Sequence, residues 1–136
     1  MGVLPLHAAT IRLFLHLLAA TVWVGGQLVL AGLVPTLRPL GPDVVRSAAR
    51  RFELLAWPAF AVLIATGVWN LMAVHVGDTS TAYQTTVFVK LLCVAVSGIG
   101  AAVHRAAKQR ALLAIGGAAS SLGAIAALLL GVLLRT

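Results

Sequence analysis

The chain has 136 residues, of which 61% are hydrophobic and 10% are charged, and its mean hydropathy is +1.05. This composition excludes an ordinary soluble domain and indicates an integral membrane protein. The formal net charge of +7 would favour nucleic acid binding in a soluble protein. Here the basic residues flank long apolar runs and are better explained as topology signals, so we expect no nucleic acid partner.

The cysteine content and the amino-terminal sequence exclude further features of this membrane protein. Cys93 is the one cysteine, so an intrachain disulfide and a thiolate metal cluster are both excluded. The amino terminus lacks a basic start and a small-residue cleavage site, so we do not expect a signal peptide.

Four segments are long enough to cross a bilayer, which needs about 20 apolar residues in a helix. They cover residues 11–34, 52–76, 84–104 and 111–134. "PTLRPLGPD" is predicted to end the first helix, "VGDTSTAY" is a polar turn, and "RAAKQR" predicts a tight bend. "DVVRSAARRFE" is predicted to extend the second helix beyond the membrane. The sequence therefore predicts one all-α domain over residues 1–136, an integral membrane antiparallel four-helix bundle.

The positions of the basic residues predict the orientation. Seven of the ten Lys and Arg residues lie in or next to the first and third loops: Arg38, Arg46, Arg50, Arg51, Arg105, Lys108 and Arg110. Positively charged loops stay in the cytoplasm. We therefore expect a multi-pass protein of the cytoplasmic membrane with both termini outside and membrane lipids as its surroundings.

Several polar side chains are predicted to share one layer of the outer half of the bundle. His16 lies a turn or two inside the first span, Lys90 at a similar depth of the third, and Trp69 and Asn70 at that level of the second. Met72 and His75 lie just above. Polar groups at this depth are costly, by about 2.5–3.5 kcal/mol for a lysine at mid-span, so their clustering indicates a site.

Helical phase supports such a site. His16, Trp23 and Gln27 share one face of the first helix, with Arg12 close by, and Thr66 and Asn70 are spaced i,i+4. The third helix carries a polar stripe of Thr86, Lys90, Cys93, Ser97 and His104. The fourth carries a ridge of small residues that predicts close helix packing, made of Gly116, Ser120, Gly123, Ala127 and Gly131.

Each candidate has a functional and a structural interpretation. His16 is either an axial haem or copper ligand or the donor of an interhelical hydrogen bond to a carbonyl or to Asn70. Lys90 either binds a haem propionate or another anion or extends its ammonium to the surface. Trp23 and Trp69 either line a porphyrin pocket or pack, whereas Trp57 is expected only to pack.

A copper port is a further hypothesis. His75 and Met72, with His7 or Met1, offer imidazole and thioether ligands that suit Cu(I). The alternative is lipid or core packing for the methionine and solvation for the histidines. Gly25 and Gly32 lie opposite His16 and favour contact with a neighbouring helix or subunit. Because four helices enclose little volume, a homodimer or a larger membrane complex is a further hypothesis.

The residues resemble the copper resistance protein D (CopD) domain family and the related four-helix HemJ-type protoporphyrinogen oxidases. The resemblance rests on His16 with "W-x-G-G" at residues 23–26, "RRF" at 50–52, "ATGVWN" at 65–70, Tyr83, "VKLL" at 89–92 and His104-Arg105. It implies a four-helix membrane bundle linked to copper uptake or tolerance, or to b-type haem in the HemJ branch. The stretch "LVLAGLVPTLRPL" departs from the arginine- and aromatic-rich HemJ pattern, and the larger CopD proteins have additional spans.

The leading hypothesis is a CopD-like protein that binds haem b or copper in the outer half of the bundle, in copper or haem homeostasis or electron transfer. Its site comprises His16, Lys90, Asn70, Trp69 and Trp23. A binding role is favoured over catalysis. The alternatives are a cofactor-free accessory subunit of a larger respiratory-type complex and, more weakly, a HemJ-like oxidase.

Overall fold

The computed structural model describes residues 4–136, and Met1, the optional copper ligand, lies outside them. Within the described range the secondary structure is entirely helical, with no strand. Four helices are long and apolar enough to cross a membrane: Ala8–Leu40, Pro42–Val74, Thr81–Ala106 and Arg110–Leu133. Many of their large apolar side chains are exposed, as lipid-facing residues should be. The predicted all-α membrane class is confirmed.

The first long helix is continuous but irregular. It comprises α1 (Ala8–Ala20), a π-helical turn (Thr21–Gly25), α2 (Gly26–Leu37) and a 3₁₀ turn (Arg38–Leu40). The predicted stop at "PTLRPLGPD" comes later than expected, because Pro35 lies inside α2 without ending it. Membrane helices tolerate proline where the lost backbone hydrogen bond is compensated. The chain turns at Gly41, whose φ of 115° is accessible to glycine.

The second long helix, α3 (Pro42–Val74), begins directly after that turn. Pro42 and Asp43 occupy its first turn, where a proline loses no hydrogen bond and an acid suits the helix dipole. The helix ends at His75, a left-handed residue with a φ of 51°. Its 33 residues would measure about 50 Å, more than the roughly 30 Å of a bilayer core. The predicted extension of this helix beyond the apolar span is therefore confirmed.

By its contacts the chain divides into two compact units, one ending at His75 and the other formed by Val76–Thr136. In the first unit α1 and α2 pack antiparallel against α3. Trp23 is 3% exposed, and its ring centroid lies 4.3 Å from that of Phe60 and 5.6 Å from that of Trp57. This aromatic cluster joins the π-helical turn to α3, and it confirms the packing role predicted for Trp57.

The second unit consists of α4 (Thr81–Ala106) and α5 (Arg110–Leu133), which are antiparallel. Ser80 caps α4, since its Oγ accepts a hydrogen bond of 3.2 Å from the Tyr83 N–H. The basic connection between the helices spans only residues 107–109, in agreement with the tight bend predicted there. The buried residues of α5 are small, namely Gly116, Ser120, Gly123, Ala124 and Ala127. The predicted ridge is thus confirmed as the face that packs on α4.

Candidate metal and cofactor site

Two side-chain hydrogen bonds join α1 to α3 in the first unit. Arg12 Nε donates to Asn70 Oδ1 over 2.7 Å, and His16 Nδ1 lies 2.8 Å from Thr66 Oγ1. The partners are spaced i,i+4 on each helix, so they lie on adjoining turns of the same faces. We call these two pairs the polar rungs. They place a cation and an imidazole side by side within an apolar helix pair.

The hydrogen bonds of Thr66 determine which nitrogen of His16 carries the proton. The Thr66 hydroxyl donates to the carbonyl of Val62 over 2.6 Å, with the Leu63 carbonyl at 3.3 Å. A hydroxyl has one proton, so toward His16 the same oxygen accepts. Nδ1 of His16 is therefore the protonated nitrogen, and in the neutral ring the lone pair is on Nε2. Metal-binding histidines are commonly oriented in this way by a hydrogen bond from the other nitrogen.

Arg12 is held by two residues of α3. Besides its bond to Asn70, its guanidinium carbon lies 5.8 Å from the centroid of the Trp69 ring, within range of a cation–π interaction. In the described part of the chain the ion pair found is Arg46–Asp43, so Arg12 has no carboxylate partner. The guanidinium keeps N–H groups for a further acceptor, because Asn70 engages only Nε. The vicinity of His16 is therefore positively charged.

Trp23, another predicted cofactor residue, lies in the π-helical turn two turns along from His16. Single π-helical turns in α-helices occur frequently at functional sites. In this structure Trp23 is buried against Trp57 and Phe60, so its visible role is packing. A contact between Trp23 and a cofactor stays a prediction.

The three predicted copper ligands lie at the ends of their helices. His7 is the N-cap of α1, His75 ends α3, and Met72 is 70% exposed one turn earlier. The register of the polar rungs puts positions 7 and 75 at the same end of the helix pair. Within residues 4–136 no cluster of three or more His, Cys, Asp or Glu side chains could hold a metal. A copper port here stays a prediction.

Lys90 belongs to the second unit, where it lies against the last turn of α5. A Cβ placed on Gly131 would be 3.0 Å from the Lys90 ammonium nitrogen. Other members of the polar stripe also face α5: Ser97 is 1% exposed and donates to the Ser120 carbonyl over 2.8 Å. His104 Nδ1 lies 2.6 Å from the Leu113 carbonyl. The predicted pairing of Lys90 with His16 stays a prediction.

The sequence indicates the polar residues of the first unit but not which of them are partners. Asn70 was a candidate partner of His16, yet it accepts from Arg12, while His16 pairs with Thr66. The sequence does contain a signal for this pairing, because Arg12 and His16 on one helix and Thr66 and Asn70 on the other are both spaced i,i+4. An antiparallel register that pairs position 12 with 70 also pairs 16 with 66.

Comparison with known proteins agrees with this architecture. The family described as copper resistance protein D (CopD) matches residues 46–135. The match includes "RRF", "ATGVWN" and "VKLL" together with α5, which none of the motifs quoted for the resemblance reaches. His16 and the "W-x-G-G" stretch lie outside it. No curated protein and no solved structure matches the chain.

The matched region is well over half of the chain and covers α4, α5 and most of α3. The helices are all apolar and the molecule has no strand in its described residues. The chain therefore belongs to the copper resistance protein D (CopD) family of membrane proteins.

Proposed function

We propose that this CopD-family protein is a metal-handling membrane protein, acting in copper or haem homeostasis or in electron transfer, whose metal ligand is Nε2 of His16. The observation that carries the proposal is the Val62–Thr66–His16 hydrogen-bond chain. It holds the imidazole in the tautomer with the lone pair on Nε2 and limits its rotation. Histidine ligands are tuned and oriented by such second contacts.

The chemistry around His16 fits haem b better than a bare copper ion. Arg12, on the next turn of the same face, would repel a cation but would bind a haem propionate through its remaining N–H groups. Trp69 adds an aromatic surface beside that guanidinium. In this arrangement Nε2 of His16 would hold the iron, Arg12 would bind a carboxylate of the porphyrin, and Asn70 positions Arg12. When bound, the haem would supply a one-electron redox centre.

Copper is the second candidate, favoured by a different observation. The family's description concerns copper, and His7 and His75 mark the same end of the first helix pair, with Met72 nearby. Imidazole and thioether suit Cu(I). A copper ion bound by these residues would be transported cargo and not a resident cofactor, and its binding would not involve His16.

The absorption spectrum and the metal content of the detergent-purified protein test these proposals. We expect a Soret band and iron in the wild type, and loss of both in His16→Ala. The matched control is His104→Ala, because that imidazole also hydrogen-bonds through Nδ1 but belongs to the second unit. It should keep the band.

The remaining outcomes discriminate between the alternatives. A colourless protein with stoichiometric copper that is lost in His75→Ala and His7→Ala would favour the copper port and overturn haem binding. A protein with neither metal after expression with added haem and copper would overturn both and favour the cofactor-free accessory subunit.

A further inference from the structure

The end of the second helix pair holds two basic side chains without an acidic partner. Lys90 is half-buried in α4, and its ammonium lies beside Gly131, four residues before Arg135. Asp78 is the one acidic side chain among residues 76–136. Among the residues that the structure describes, neither Lys90 nor Arg135 forms a salt bridge, and neither side chain makes a hydrogen bond. Two cations that repel each other are stabilised when an anion lies between them.

Gly131 creates the space beside this pair. A Cβ at this position would be 3.0 Å from Nζ of Lys90 and 3.6 Å from its Cε, so the lysine tip lies over bare backbone. Any larger residue at position 131 would have to displace the ammonium. We call Lys90, Gly131 and Arg135 the basic niche.

The niche lies near one end of the second helix pair. Gly131 is in the last turn of α5, which ends at Leu133, and Arg135 follows that end. The contacts of Gly100, Gly123 and Gly131 put the first turns of the antiparallel α4 level with or beyond the end of α5. Those turns are polar, and their threonines bond to their own helix: Thr85 to the Thr81 carbonyl and Thr86 to the Ala82 carbonyl. The apolar part of this pair therefore ends beside the niche.

We propose that the basic niche formed by Lys90, Gly131 and Arg135 binds the phosphate of an anionic phospholipid. A phosphate offers several acceptor oxygens, which an ammonium and a guanidinium can share. A lipid also fits the position of the niche, because its phosphate lies at the boundary of the apolar span. Its acyl chains would cover the exposed apolar residues nearby, such as Val132 and Leu128.

Nanodiscs provide the test. The full-length protein is placed in phosphatidylcholine discs with phosphatidylglycerol added in steps, and lipid retention is counted by native mass spectrometry after release. We expect one retained phosphatidylglycerol and a rise in thermal stability. Removing one basic residue near a membrane surface should weaken binding about fivefold, so we expect Lys90→Met to do this. Lys108→Met, the same change at the exposed opposite end of the pair, should have no effect.

Two additional variants keep the result interpretable if Lys90→Met does not fold. Lys90→Arg should retain the lipid, and Gly131→Leu should lose it although both cations remain. Equal retention in wild type, Lys90→Met and Gly131→Leu would overturn the proposal. Stabilisation by inorganic phosphate in pure phosphatidylcholine discs to the same extent would also overturn it, because the site would then take a free anion.

Discussion

At the scale of single residues, two polar side chains of α1 are paired with polar side chains of α3. A charged or polar side chain inside a bilayer is expensive unless it has a partner. Arg12 meets Asn70 and Trp69, and His16 meets Thr66. These hydrogen bonds lower the free-energy cost of placing the polar side chains in the bilayer, and they also fix the orientation of each side chain. A structural role for His16 through Nδ1 and a ligand role through Nε2 are therefore compatible, since they use different nitrogens.

Thr66→Val should remove the acceptor of His16 while keeping the shape of the side chain. We expect a loss of about 1 kcal/mol in the free energy of unfolding, the usual scale of one hydrogen bond in a membrane protein. Titration with a denaturing detergent, followed by circular dichroism, measures this. Nitrogen-15 NMR of the imidazole should show the Nδ1–H tautomer in the wild type and a mixture in the variant.

Thr86→Val is the matched control, because Thr86 bonds only to its own helix at Ala82. It should change stability little, and Thr66→Ser should restore most of the loss. If Thr66→Val left both the stability and the NMR signals unchanged, the polar rung would have no role in holding His16.

At the scale of helices, the second unit is held together by close backbone contact. A Cβ on Gly100 would lie 2.6 Å from the Ser120 nitrogen and 2.8 Å from the Gly116 oxygen. A Cβ on Gly123 would lie 2.8 Å from the Cys93 oxygen. Helices in lipid associate through such packing, because there is little hydrophobic driving force between them. The ridge of α5 and the polar stripe of α4 therefore form one interface.

Gly100→Ala should separate α4 from α5, because the atoms that the new methyl group meets are backbone atoms that cannot rotate away. We expect a loss of about 1–3 kcal/mol, as for other overpacked interiors. Unfolding in denaturing detergent measures the change.

Gly32→Ala is the control, since nothing lies within 4 Å of its added Cβ. This variant should be neutral or gain up to about 1 kcal/mol from helix propensity. Equal losses in Gly100→Ala and Gly32→Ala would show that glycine flexibility, and not close packing, explains the ridge.

At the scale of the whole molecule, the distribution of basic residues predicts its orientation. The turn between α3 and α4 contains Asp78 and no lysine or arginine, whereas the turn between α4 and α5 contains Lys108 beside Arg105 and Arg110. Basic loops remain on the cytoplasmic side. The protein should accordingly have its α3–α4 turn and both termini outside.

Cysteine labelling in intact cells tests this orientation. In a Cys93→Ser background, a membrane-impermeant maleimide should label Asp78→Cys in intact cells and Lys108→Cys only after the cells are opened. Both original side chains are exposed, so access itself is not limiting. Labelling of Lys108→Cys in intact cells, with protection of Asp78→Cys, would reverse the topology.

The sequence by itself determined the features that depend on local chemistry. Runs of apolar residues require helices in a bilayer, because the backbone must satisfy its hydrogen bonds internally. The four membrane-length helices, the extension of α3 and the small-residue ridge of α5 were all predictable for this reason. His16, Thr66 and Asn70 were also recognisable, since polar residues in apolar runs stand out.

The tertiary structure alone decided which of these residues meet. A sequence does not state the register between α1 and α3, so it could not show that Asn70 pairs with Arg12 and Thr66 with His16. It also could not show that Pro35 leaves its helix unbroken, or that Lys90 lies over Gly131. These contacts depend on the rotation and offset of one packed helix against another. That offset is set by many weak contacts along the whole interface, and no single short stretch of sequence contains it.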